Sequence, residues 1–207
     1  MPIDRLTRMP ERDHTDRAHL DALLDTELVG TLATVSPDGE PWAVPIFFAR
    51  DGDRVLVHGS TGAGALRLAA SGAPVAFTVF ALDALVVGHT TFESSANYRS
   101  AVLRGTMTRL DEPEASEALD TLSDRLIPGR VAEVRPSNNR ELAATQVLAL
   151  PIVDGSWLYK ERRGQASTPD EPTNAWGGVV PRVVTWGVPE PAPWTDADVP
   201  QSVVDLE

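Results

Sequence analysis

The sequence predicts a mainly β fold, an antiparallel barrel of six or more short strands with peripheral helices. Three observations predict it. Short segments rich in apolar residues recur with turn signals at roughly 8 to 12 residue spacing. Asp-Gly turns separate the first three of them, and that dipeptide is the strongest short-range hairpin signal. Only two segments, 16–28 and 112–127, carry a helical repeat long enough for a substantial helix.

The elements follow in order. Residues 16–28 place Leu20, Leu23, Leu24 and Leu28 on one helical face behind Thr15 or Asp16 as cap. The period then changes. VGTLATVS, PWAVPIFFA and RVLVHGS, joined by PDGE and RDGD, read as a three-strand antiparallel meander. TGAGALRLAASG is short, Ala-rich and closed by Gly72, so it reads as a brief helix after a Gly-rich turn. APVAFTVF and ALVVGH read as two strands turned around Leu82-Asp83, and AVLRGTMTRL as another. Asp111, three residues before Glu114, resembles a capping box opening the helix of 112–127, with Ala115, Ala118, Leu119, Leu122 and Leu126 on its apolar face. TQVLALPIV and SWLYKER complete the sheet.

Three regions are expected: an arm over 1–15, the barrel domain over 16–163, and a Pro- and Trp-rich arm over 164–207 that packs on the barrel or on a partner subunit. Of the four Trp of the second half, Trp157, Trp176, Trp186 and Trp194, the expected use is to staple this arm to the barrel rather than to cover an aromatic ligand.

Composition narrows the chemistry. The chain of 207 residues is 42% hydrophobic and 23% charged, ordinary for one globular core. With no Cys, disulfides, thiolate metal sites and cysteine nucleophiles are excluded. A net charge of -12 argues against nucleic acid or an anionic membrane as partner, because counterion release needs a basic face. No window has the roughly 18 apolar residues of a membrane span, and the N-terminus lacks an apolar signal core, so a soluble cytoplasmic protein is expected. Of 18 basic residues only Lys160 is lysine, a bias that fits a GC-rich genome.

Two stretches concentrate polar chemistry. VHGSTGAG ends a strand and opens a helix with Ser60, Thr61 and backbone amides, and Arg67 follows one turn in. From the stretch alone an anion cradle and an ordinary capped turn both stand. TFESSANYRSAVLRG places Asn97 and Arg99 on one strand face and Tyr98 and Ser100 on the other, so its polar groups cannot all meet solvent on one side. A ligand or a second subunit would take some of them, unless the segment is a solvated edge strand. His89 and Glu93 are four apart but not on a helix, so no metal site is expected there. His58 belongs to no Ser, His and Asp spacing and reads first as a strand-end histidine.

Taken together, ATVSPDGEPWAVPIFF, VLVHGSTG with its short helix, and SSANYRSAVLRGTMTRLDEPEA resemble the pyridoxamine 5'-phosphate oxidase-like superfamily of FMN-binding split barrels over roughly residues 16–153. The nearest branch includes Nim-type nitroimidazole reductase-like proteins and actinobacterial flavin-nucleotide-binding proteins. The resemblance implies a homodimeric split barrel with FMN at the subunit interface. It places His58, Gly59, Ser60, Thr61 and Arg67 on the phosphate, Val44, Pro45 and Ile46 along the flavin, and Asn97, Tyr98, Arg99 and Ser100 on the Tyr-Arg-Ser strand. The chain departs from that pattern at Gly64 and Ala65, where relatives carry a basic residue. It departs again at Phe92-Glu93-Ser94-Ser95, where relatives read Phe-His-His-Ser.

The function this resemblance implies is an FMN-dependent oxidoreductase acting on a small aromatic or nitro-type molecule. Arg99 or Tyr98 is its electrostatic partner, and Glu93 and His89 are candidate catalytic groups. A repurposed barrel that has lost flavin and uses Glu93 for non-redox acid/base catalysis is the alternative. A carrier of flavin, haem or deazaflavin is a third.

Overall fold

The computed structural model describes Arg12 and residues 14–206. Residues 1–11 and 13 of the expected N-terminal arm lie outside the described residues. The chain runs α1 (Arg17–Thr26), β1 (Val29–Val35), β2 (Pro41–Asp51), β3 (Arg54–Ser60), α2 (Gly64–Ala70), β4 (Pro74–Val87), β5 (Ser95–Thr106) and β6 (Thr108–Arg109). It continues through α3 (Glu114–Leu126), α4 (Arg130–Glu133), α5 (Asn139–Ala144), β7 (Thr145–Pro151), β8 (Trp157–Arg162), β9 (Gly178–Pro181) and α6 (Gln201–Val204).

Eight strands pair antiparallel in the order β6-β7-β3-β2-β1-β4-β5-β8, and β9 pairs antiparallel with β4 off this path. Only Met107 separates β5 from β6, and β6 pairs with β7 at the other end of that order. The sheet therefore curls until its ends meet, which makes a split barrel. Gly39 and Gly52 close the β1-β2 and β2-β3 turns with φ of 89° and 56°, a backbone region open to glycine and strained for other residues. Inside, Leu32, Phe48, Val57, Phe77, Leu103, Leu148, Leu150 and Tyr159 form one core. Phe48 and Phe77 meet edge to face at 5.1 Å.

The two longer-range plugs sit at opposite ends. α1 buries Leu20, Leu23 and Leu24, each worth about 1.5 to 3 kcal/mol of burial, and reaches the end of β2 through Arg50, which pairs with Asp25. α2 buries Leu66 and Ala69 and meets the start of β2, where Trp42 lies over Gly64. Asp16 is the α1 cap, accepting from the Ala18 amide at 2.9 Å. The helix stops at Thr26, so Leu28 falls beyond it rather than on its face.

Outside, the sheet has two unlike halves. Ala49, Leu56, Val147 and Ala149 on β2, β3 and β7 are covered by α3 through Ala118 and Leu122, with Leu110. On β1, β2 and β4 the outward side chains Val29, Pro45, Phe47 and Phe80 have no such cover among the described residues, and Phe47 and Phe80 are 53% and 59% exposed.

Three local expectations change. Residues 74–87 are one strand, not two strands with a turn, because Asp83 leaves the ladder in a bulge between Leu82 and Ala84 and both flanks stay paired to β5. α3 has no capping box: Pro113 occupies the cap position and Glu114 is drawn off by Arg54. Of the four Trp, only Trp157 is buried, while Trp176, Trp186 and Trp194 are exposed, so they do not staple the arm within the chain. What ties residues 164–206 to the rest is backbone and polar: β9 pairs with β4, and Ser202 bonds Glu133 through its amide at 3.0 Å and its hydroxyl at 2.5 Å.

Candidate functional site

The loop after β3 spends much of its polarity on itself. Ser60 Oγ accepts from the Gly62 amide at 3.2 Å, the Ala63 amide donates to Ser60 O, and the Thr61 amide donates to Ala144 O. Ser60, Thr61 and Arg67 are nevertheless exposed at the rim, and Arg67 makes no side-chain hydrogen bond or ion pair among the described residues. Gly59 serves packing: an added Cβ would stand 2.5 Å from Leu66 Cδ1. Gly64 has the same kind of cause, since its Cβ would meet the Trp42 ring at 2.2 Å. The missing basic residue of the resemblance is thus replaced by an indole lying across the place where its stem would start.

His58 shares its strand face with Leu56, so it points outward toward α3. It lines a cavity of about 80 Å³ with Leu28, Phe47, Leu122, Ser123 and Leu126. Its Nδ1 is buried without a hydrogen-bond partner among the described residues, and burial lowers its pKa below the usual histidine value. A neutral imidazole in an apolar slot is the result.

Strand β2 divides the three expected flavin-lining residues. Val44 and Ile46 turn inward and pack on the core, while Pro45 faces the uncovered side with Phe47. Phe47 is the larger surface there. The same alternation in PWAVPIFFA that brings Pro45 outward brings Phe47 outward, and this is the signal that could have found it.

Strand β5 also divides. Tyr98 lies outward, stacked on Phe80 at 6.0 Å with Lys160 Nζ 5.8 Å from its ring, and Ser100 donates weakly to Lys160 O at 3.4 Å. Arg99 and Asn97 lie on the other face. Arg99 donates through Nε and Nη2 to the bulged Asp83 at 3.0 to 3.3 Å, and Glu27 stands 3.9 Å away. The hydrogen bonds to Asp83 raise the Arg99 pKa further, so it is a permanently paired cation. Asn97 accepts from Arg162 at 2.7 Å and donates to Gly164 O. Asp83 was visible in the sequence only as a turn former.

His89 and Glu93 sit in the tight link between β4 and β5. Ser94 Oγ accepts from the Gly88 amide and donates to Thr90 O, and the Glu93 amide donates to Thr90 Oγ1. His89 Nδ1 is buried without a hydrogen-bond partner among the described residues. The register places this link at the Val86-Ser95 end of the hairpin, while α2 leads into its Pro74-Thr106 end. At about 3.3 Å per residue the two ends are roughly 40 Å apart along the strands. Within one chain α2 with Arg67 is therefore set apart from His89 and Glu93.

The structure also joins residues that no spacing connects. His14, His19 and Glu161 bring their ligand atoms within 4.8 Å of one another beside Tyr159. No helix among the described residues is long and apolar enough to cross a membrane.

Residues 16–157 match the sequence model of the family described as pyridoxamine 5'-phosphate oxidase. Among solved structures, the FAD and heme binding protein from Mycobacterium smegmatis is 45% identical, with TM-score 0.91 over 94% of this chain and 97% of that one. The flavocytochrome Anf3 from Azotobacter vinelandii is 29% identical, with TM-score 0.88 over 98% of this chain and 95% of that one. A putative 5-nitroimidazole antibiotic resistance protein from Bacteroides thetaiotaomicron, 18% identical with TM-score 0.60 over 72% of this chain and 86% of that one, shares the fold. No curated protein matches.

Proposed function

The chain belongs to the pyridoxamine 5'-phosphate oxidase family, and on that premise we propose that it is a flavin-dependent oxidoreductase working as a homodimer. The observation that carries this reading is the uncovered apolar face holding Pro45 and Phe47, which meets His58 at its cavity and lies on the strand whose start carries Trp42 against Gly64, beside the exposed Ser60, Thr61 and Arg67. An aromatic ring system with a phosphate tail fits such a surface, because the ring needs flat apolar contact and the tail needs hydroxyls and one unpaired cation. The flavin proposed is FAD rather than the FMN implied by the sequence resemblance, because the FAD and heme binding protein is similar over nearly its whole length.

A bound flavin supplies hydride and one-electron transfer. The residues of the chain do the rest. Phe47 and Pro45 exclude water from one face of the ring. Ser60, Thr61 and Arg67 hold the phosphate. Arg99, locked to Asp83, fixes the β4-β5 hairpin instead of contacting substrate. Glu93 and His89 act only if a second copy brings its hairpin end to the His58 region, which is the reason for a homodimer. The substrate proposed is a small aromatic or nitro-type molecule. A haem beside the flavin is the second reading, favoured by the partnerless buried Nδ1 atoms of His58 and His89 and by the haem of the similar protein.

The test is the absorption spectrum of the full chain as purified, with mass spectrometry of what denaturation releases. Flavin bands with FAD released support the reading, and a Soret band adds the haem. A protein that stays colourless after incubation with FAD and with FMN overturns it.

A further inference from the structure

We propose that His14, His19 and Glu161 form a binding site for a divalent first-row transition ion, independent of the flavin reading. The three residues come from separate places: the segment before α1, the first turn of α1, and the end of β8. Their ligand atoms lie within 4.8 Å of one another, and all three residues are half-buried. Two imidazoles with one carboxylate is a donor set suited to zinc or ferrous iron rather than to calcium or magnesium, and three protein ligands leave positions for water. Around an ion bound at about 2.0 to 2.2 Å, such atoms need to approach one another by roughly 1 Å, which side-chain rotation supplies.

The surroundings hold the carboxylate in a usable pose. Glu161 Oε2 accepts from Tyr159 Oη at 3.0 Å and forms an ion pair with Arg163 Nε at 3.3 Å, leaving Oε1 turned to His14 Nε2 at 3.5 Å. Glu161 is 12% exposed, so it stays where these bonds place it. Outer partners of this kind orient metal ligands. The His14 and His19 rings lie 4.8 Å apart at 42°, and both rest against the Tyr159 ring, at 5.9 and 5.6 Å. The His14 amide, donating to Tyr159 O at 3.3 Å, pins the segment beside β8. Arg163 opposes a cation, but its side chain is 69% exposed and can swing away.

The experiment adds Co²⁺ to the full-length chain after chelator treatment, reads the visible ligand-field bands, and displaces the ion with Zn²⁺. One ion per chain is expected. His14→Ala, outside any helix or strand, and Glu161→Gln should each abolish the bands, and Tyr159→Phe should weaken binding roughly 10- to 100-fold. Arg163→Ala should strengthen it, an effect a merely structural cluster would not show. Absence of bands in the unaltered chain overturns the proposal, as does binding that survives both His14→Ala and Glu161→Gln. A Soret band that His14→Ala abolishes would assign the pair to haem and overturn it equally. Because the readout is cobalt, loss of flavin binding leaves this test intact.

Discussion

The two halves of the barrel's outer face are built from the same alternating strands, yet one is covered and the other is bare. Under α3, Leu56, Val147 and Ala149 meet Ala118 and Leu122 and are closed to water. Across β1, β2 and β4, Val29, Pro45, Phe47 and Phe80 are just as apolar and remain exposed. A sheet face of this composition is stable only when something covers it. Among the described residues the chain supplies that cover once, and the proposed homodimer supplies it for the other half.

This contrast can be broken most severely from the covered side. Leu56→Ala should cost about 2 to 5 kcal/mol in chemical denaturation, because the cavity it leaves lies between sheet and helix and cannot collapse. It should leave the assembly state unchanged. On the bare side the order reverses. Phe47→Glu with Phe80→Glu should leave the far-UV dichroism intact but raise the dimer dissociation constant by about a hundredfold or more, near 3 kcal/mol. Sedimentation that still shows a dimer would remove the distinction between the halves.

The rim between the two halves gives smaller effects. Gly64→Lys should cost about 1 to 3 kcal/mol by forcing Trp42 from its place. In a Trp42→Ala background most of that cost should vanish, and a double-mutant cycle without coupling would show that the indole is not what excludes a side chain there. The least change comes from His58, at the seam beside Phe47 and Leu122. Its folded-state pKa is lowered by burial, so the stability it contributes is present above about pH 6.5 and lost as pH falls toward the folded value. Denaturation midpoints measured above and below that pH should therefore differ less in His58→Phe than in the unaltered chain.

Much of the barrel was legible because its strands alternate and its turns carry Asp-Gly, both of which act within a few residues. The hairpin of 74–106 was misread at Asp83 for an equally physical reason. Asp favours turns locally, but here Arg99, sixteen residues on, takes the carboxylate and keeps the strand whole through a bulge. Glu114 was lost to its capping box in the same way, by Arg54 reaching across from β3. Among the candidate site residues, the pattern placed Tyr98 and Arg99 on opposite faces. It could not say that Arg99 was already paired, or that Val44 and Ile46 turn into the core while Phe47 turns out.

By itself the sequence determined the meander of β1 to β3, the two longer helices, the alternation of strand faces, the absence of thiol chemistry and the resemblance to flavin-binding split barrels. Those properties are set by neighbours in the chain and by composition. Only the tertiary structure decided which apolar face stays bare, that Trp42 replaces a side chain at Gly64, that Asp83 claims Arg99, and that His14, His19 and Glu161 meet. Each of these depends on residues brought together by closure of the sheet, and no local periodicity encodes a contact across it.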